Sequence, residues 1–125
     1  MKPTTWLALP LGLALLACTE SEPATGPEPD PATVQRAESL VPADAKLAAI
    51  YNRSCRACHA LPGLQAPLSG HAAAWKSRMR ERGMPELVRA VRQGRGTMPP
   101  MGYCADCSDD DFRALITFMS REPTP

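Results

Sequence analysis

Cys55, Cys58 and His59 are the residues of this 125-residue sequence whose types and spacing could do chemistry. They stand in the run Cys55-Arg56-Ala57-Cys58-His59, two thiols followed at once by an imidazole. That pattern is the attachment signature of a covalent haem. Residues i and i+3 of a helical turn share a face, so both thiols can reach the two vinyl groups on one edge of a porphyrin and add to them as thioethers. His59 is then carried under the ring, where its imidazole can bind iron from one side. The spacing predicts one covalent haem c, held by Cys55 and Cys58, with His59 on the iron.

The remaining sequence must deliver, tether and enclose that site. Residues 1–18 read as an export signal: Lys2 supplies the charge, and Trp6 to Ala17 form an apolar run too short to span a membrane. The run ends Leu15-Leu16-Ala17-Cys18, which resembles the lipobox of bacterial lipoproteins. On that resemblance Cys18 is acylated and becomes the mature N-terminus. The plainer alternative is a cleaved signal peptide with an incidental cysteine. Thr19 stands where an aspartate favours retention at the inner membrane, so the expected place is the outer membrane, facing the periplasm, or else the soluble periplasm. Residues 19–40 hold Pro23, Pro27, Pro29 and Pro31 and no apolar period, and are expected to form an extended tether. The folded domain is expected over 41–121, with 122–125 as a tail. It has about 80 residues, near the lower limit for a self-sufficient core. A buried macrocycle would supply much of what is missing.

Helical patterns account for most of the domain. Asp44 can cap a helix on which Leu47, Ile50 and Tyr51 share a face, and that helix runs into Cys55. Residues 60–70 hold Pro62, Gly63, Pro67 and Gly70 and read as a loop. A helix follows from His71, with Trp75 and Met79 on one face and a stop at Gly83. Pro85 suits the first turn of the next, which Leu87, Val88 and Val91 line and Gly94 ends. Residues 94–102, with Gly94, Gly96, Pro99, Pro100 and Gly102, form a second loop. Ser108 caps a last helix with Asp111 three residues on, and Phe112, Leu115, Ile116 and Met119 repeat at i, i+3, i+4, i+7. No strand pattern or repeat is present, so the fold class expected is all-α.

Tyr51-Asn52, Cys55-Arg56-Ala57-Cys58-His59, Ala74-Trp75, Met98-Pro99-Pro100 and Cys104-Ala105-Asp106-Cys107 in this order resemble the class I c-type cytochromes, in detail the cytochrome c-five subgroup. The resemblance covers about residues 45–119, and implies several short helices wrapped around one haem and a one-electron carrier rather than an enzyme. It implies Met98 as the second axial ligand, and Pro67 as the residue whose carbonyl holds the proximal imidazole. Met79 and Met119 lie on apolar helix faces, where methionine is most often filler. Met84 begins a turn, and Met101 shares the loop with Met98 but lacks the proline pair. His71 is the alternative that would give a bis-histidine site. Trp75 is expected in the core, which here is also the pocket wall.

Cys104 and Cys107 keep three readings: a structural disulfide, which the subgroup carries and export favours; a redox-active dithiol; and, with Cys55 and Cys58, a four-cysteine zinc site, which leaves His59 without a role. The net charge of +1 says little about partners. Locally, Lys76, Arg78, Arg80, Arg82, Arg89, Arg92 and Arg95 face only Glu81 and Glu86, either as a solvated helix face or as a docking patch for an acidic redox partner protein. No aromatic interleaving points to nucleic acid. The other functional readings are a haem protein whose labile Met98 admits a small ligand for sensing or redox catalysis, and a cytochrome subunit of a larger oxidoreductase complex.

Overall fold

The computed structural model describes residues 28–122, where all regular structure is helical except an isolated bridge between Arg95 and Met98. Helix α1 spans Pro31–Ser39, α2 Ala45–Ile50, α3 Arg56–His59, α4 Ala72–Gln93 and α5 Asp109–Ser120. The all-α architecture is as expected. Residues 1–27, including Cys18, the signal and most of the tether, lie outside the described residues, as do residues 123–125 of the tail.

The tether expected over 19–40 is corrected at its end, because residues 31–39 are helical. Asp30 caps α1, its carboxylate accepting from the Thr33 N–H at 2.9 Å and the Thr33 hydroxyl at 2.8 Å. Pro31, which reads as a breaker within a proline-rich run, occupies the first turn, where its missing N–H loses nothing and its fixed φ is already helical. Ala37 is fully buried. The Arg56 guanidinium donates to the Glu38 carbonyl at 2.6 Å, joining α1 to α3.

Asp44 caps α2 by accepting from the Leu47 N–H at 2.8 Å. Ile50 and Tyr51 are buried as their spacing predicts. The chain then departs from regular α geometry: Tyr51–Cys55 is a π turn, with the Arg56 N–H donating to the Tyr51 carbonyl. Such turns occur often at functional sites. One extra residue in a turn rotates everything downstream by about 100°. The facing of Cys55, Cys58 and His59 is therefore set by this turn and does not continue the face of Leu47 and Ile50.

Helix α4 is two helical segments that meet at Gly83, whose non-helical backbone (φ 74°, ψ 165°) breaks the run where the stop and the restart at Pro85 are expected. A side chain is strained at that φ, which suits glycine. Trp75, Leu87 and Val88 from α4 pack with Phe112, Leu115, Ile116 and Met119 from α5 in the core. At the start of α5, the Ser108 hydroxyl accepts from the Asp111 N–H at 3.2 Å, while the Asp111 carboxylate accepts from the Ser108 N–H at 3.0 Å. This reciprocal capping box satisfies two helix-end donors.

Lys46 of α2 bonds the same Asp111 carboxylate. That contact, then the Ser108 N–H, lowers the Asp111 pKa to about 2. A depressed carboxylate stabilises the fold above its unfolded value, and the contribution disappears as pH falls through the folded value. Asp111→Asn is expected to melt earlier than the parent at pH 6, with the gap closing between about pH 4 and pH 2. Thermal melts across that range check it; a gap that persists at pH 2 would show that the charge is not what stabilises the helix start.

Candidate haem site

The site is built on three segments. The π turn and α3 present Cys55, Cys58 and His59. Both cysteines are free and half-buried, and His59 is only 6% exposed. Burial pushes the Cys55 thiol up to about 11, so it is uncharged at neutral pH, as suits an apolar macrocycle edge.

The loop between α3 and α4 orients the imidazole. His59 Nδ1 lies 2.8 Å from the Pro67 carbonyl oxygen, which can only accept, so Nδ1 carries the proton. Nε2 is left with its lone pair and makes no hydrogen bond among the described residues. Burial holds the His59 pKa below its ordinary value, against the Pro67 contact, which pulls it up. The ring is therefore neutral at pH 7, the form that binds metal. The Trp75 ring stacks on His59 at 5.6 Å between centroids, with 29° between planes. Trp75 Nε1 donates to the Leu68 carbonyl at 2.8 Å, which fixes the indole.

Further bonds pin the same loop. The Ser69 N–H donates to the His59 carbonyl at 2.7 Å, and the Gly70 N–H to the Met119 carbonyl at 2.8 Å. The buried Ser69 and Tyr51 hydroxyls are 2.8 Å apart. Sequence reasoning missed Ser69, and no local signal marks it, because its partners come from the π turn and α3.

Met98 is half-buried in the second loop, where its backbone exchanges two 2.9 Å hydrogen bonds with Arg95. Its methyl group would lie 3.5 Å from a Cβ placed on Gly102. Of the other methionines, Met119 is buried in the core, and Met79, Met84 and Met101 pack against it. His71 immediately precedes α4 and makes no side-chain cap.

Two free thiols, a neutral buried imidazole with one nitrogen fixed and the other available, and an aromatic wall are what a covalent haem requires. In chemical type this donor set fits the group. Cys55 and Cys58 would take its vinyl edge and His59 Nε2 its iron.

Cys104 and Cys107 stand apart from this set. Their Cα atoms are 5.4 Å apart and their sulfurs are paired, while Cys55 and Cys58 are free. Arg53, in the π turn, bridges to this loop: its guanidinium donates to the Asp106 carboxylate at 2.8 Å and to Cys104 Sγ at 3.1 Å. Arg53 was not singled out from the sequence, since its partners lie about fifty positions downstream. Of the basic segment, Arg89 pairs with Glu86 and Arg92 with Asp109. Arg78 is half-buried and donates to the Ala74 carbonyl at 3.0 Å. Lys76, Arg80, Arg82 and Arg95 form no ion pair among the described residues.

Comparison with known proteins supplies names for this arrangement. Residues 42–119 match the family described as cytochrome C oxidase, cbb3-type, subunit III. Cytochrome c5 of Azotobacter vinelandii is 46% identical over 72 residues, which cover 57% of this chain and 87% of that protein. Cytochrome c5 of Ectopseudomonas mendocina is 43% identical over 72 residues, covering 57% and 83%.

Proposed function

This chain belongs to the class I c-type cytochromes, near cytochrome c5, and on that premise we propose which residues make it an electron carrier and where it works. A c-type cytochrome of this kind holds a covalent haem and passes electrons between partner proteins. In our reading Cys55 and Cys58 would hold the haem through thioethers, and His59 and Met98 would bind its iron. The observation that carries the reading is the His59–Pro67 hydrogen bond, which leaves Nε2 available beside two unpaired thiols.

Bound haem supplies a one-electron couple at its iron. The chain's own residues do the rest. Pro67 fixes the imidazole tautomer and raises its basicity. Trp75 blocks rotation of the ring. The buried walls exclude water, so little solvent must reorganise when charge changes. Met98 would offer the iron a soft sulfur, which would favour the reduced state. Visible spectra of the purified protein, oxidised and reduced, test this: a low-spin haem spectrum that interconverts reversibly supports it, and a high-spin spectrum would reject a closed site.

We assign Cys104–Cys107 as a structural disulfide, supported by the pairing of its sulfurs while Cys55 and Cys58 remain free. Alkylation without reductant should label neither cysteine, and the double alanine variant should stay folded but melt earlier, since a short closed loop stabilises less than a long one. Labelling of both in the untreated protein would reject it.

For location, we propose export and acylation at Cys18, on the periplasmic side of the outer membrane. No helix among the described residues is long and apolar enough to cross a membrane. Cys18→Ser should release the exported domain from the membrane fraction; a native N-terminus beyond residue 18 without lipid would place the protein free in the periplasm. For docking, the unpaired cations Lys76, Arg80, Arg82 and Arg95 suit an acidic partner surface, and electrostatic steering would make the association rate fall with salt.

The family description favours one second reading, a subunit of a larger oxidoreductase complex. Co-purification with haem-containing partners at stoichiometric yield would support it over the free carrier.

A further inference from the structure

The turn that carries Met98 is closed on itself; Met101 anchors its far end against the core, and its tip at Gly96 and Thr97 is exposed. Arg95 and Met98 exchange both backbone hydrogen bonds across Gly96 and Thr97, at 2.9 Å each. Gly94, with φ +79°, begins the turn, and no side chain fits there: a Cβ would lie 2.9 Å from the Pro100 nitrogen and 3.0 Å from the Met98 carbonyl oxygen. The remaining backbone bonds, Gly102 to Pro99 and Cys104 to Met101, are local. Among the described residues, one hydrogen bond leaves residues 95–102 for another segment. The Thr97 hydroxyl donates to the Leu64 carbonyl at 3.0 Å.

Leu64 lies in the loop between α3 and α4, three residues before Pro67, whose carbonyl holds His59. We propose that Thr97 is a positioning residue for the haem iron: its bond to Leu64 ties the Met98 turn to the loop that orients His59, so that both axial sides are braced as one unit. The inference rests on Met98 being the second ligand. The physical case is that the turn is stiff inside and free at its tip. Pro99, Pro100 and the Arg95–Met98 bridge limit internal motion, so the exposed tip can shift only as one piece between Gly94 and the Met101 anchor. A single bond at the tip then decides how often the turn swings away and the thioether leaves the iron. Because Thr97 is exposed, its bond adds little to overall stability; its effect is concentrated on the open fraction of the turn.

The experiment compares the haem-loaded parent with Thr97→Ala, Thr97→Val and Thr97→Ser, following the near-infrared sulfur-to-iron band, cyanide affinity in the oxidised state and denaturant midpoint. A ligand that binds only the open form gains affinity in proportion to the open fraction. Loss of one exposed hydrogen bond should raise cyanide affinity roughly three- to ten-fold. Alanine and valine should both show this with little change in midpoint, and serine should restore the parent value. If the parent lacks the band, or Met98→Ala keeps it, the ligand assignment falls and the brace falls with it. If the band is present and lost in Met98→Ala, yet the alanine and valine variants bind cyanide within about twofold of the parent, the ligand assignment stands and the brace is overturned. An affinity gain that serine does not reverse, or that merely follows a lower midpoint, also overturns it.

Discussion

Met98→Ala is expected to abolish the near-infrared band of the oxidised protein, lower its reduction potential and open the iron to external ligands. Sulfur favours ferrous over ferric iron, so losing it moves the potential down, by on the order of 0.1 V within the roughly 0.8 V that axial ligands span. Met101→Ala should do none of these. Although Met101 is only three residues away, it packs against the core and has a left-handed backbone at φ 59°. Spectra, a potentiometric titration and a cyanide titration of both variants check the assignment. If Met101→Ala removes the band and Met98→Ala retains it, the loop is right and the residue wrong. A parent without the band would make His71 the next candidate and remove the reason for a high potential.

Replacing both Cys55 and Cys58 by alanine is expected to have the largest effect of all, because it removes attachment and core together. The parent should keep its haem through acid–acetone extraction and gain the mass of one haem over its processed chain. The double variant should release any haem into the organic layer and lose most of its cooperative unfolding transition. The reason is size: a domain of about 80 residues buries too little of its own apolar surface to be robust alone. Either single variant should retain haem through one thioether and melt between the two. Haem extracted intact from the parent would overturn covalent attachment.

What could be read from the sequence was whatever lies within a few positions of itself. The attachment motif, the Asp44 and Ser108 caps and the period of Phe112, Leu115, Ile116 and Met119 are local patterns, and the structure has the helices where they imply. Helix α1 escaped because its surroundings are rich in proline, and composition hides that Pro31 stands in a first turn behind a capping Asp30. The π turn escaped because no residue type specifies it; the pull of Tyr51 into the core and of the attachment motif towards its pocket together favour the extra residue. The bonds from Arg53 to Asp106 and from Tyr51 to Ser69 escaped because they join segments 53 and 18 positions apart. At the site itself, residue types were legible, and the resemblance named the Pro67 carbonyl that lies beside the His59 ring, but the burial that keeps the ring neutral comes from the fold.

The π turn has a bearing on how such chains can change length. It amounts to a one-residue insertion already absorbed between the Tyr51 carbonyl and the Arg56 amide. Deleting Asn52 would leave every motif residue in place and let an ordinary α-helix form, a locally favourable change. It would also wind the two thiols and the imidazole about 100° around the helix axis, away from the Pro67 carbonyl and the Trp75 ring. Maturation would then present the right five letters to the wrong side of the domain. Among relatives, the spacing between the buried tyrosine and the first attachment cysteine should therefore resist gaps more strongly than the residue types between them resist substitution.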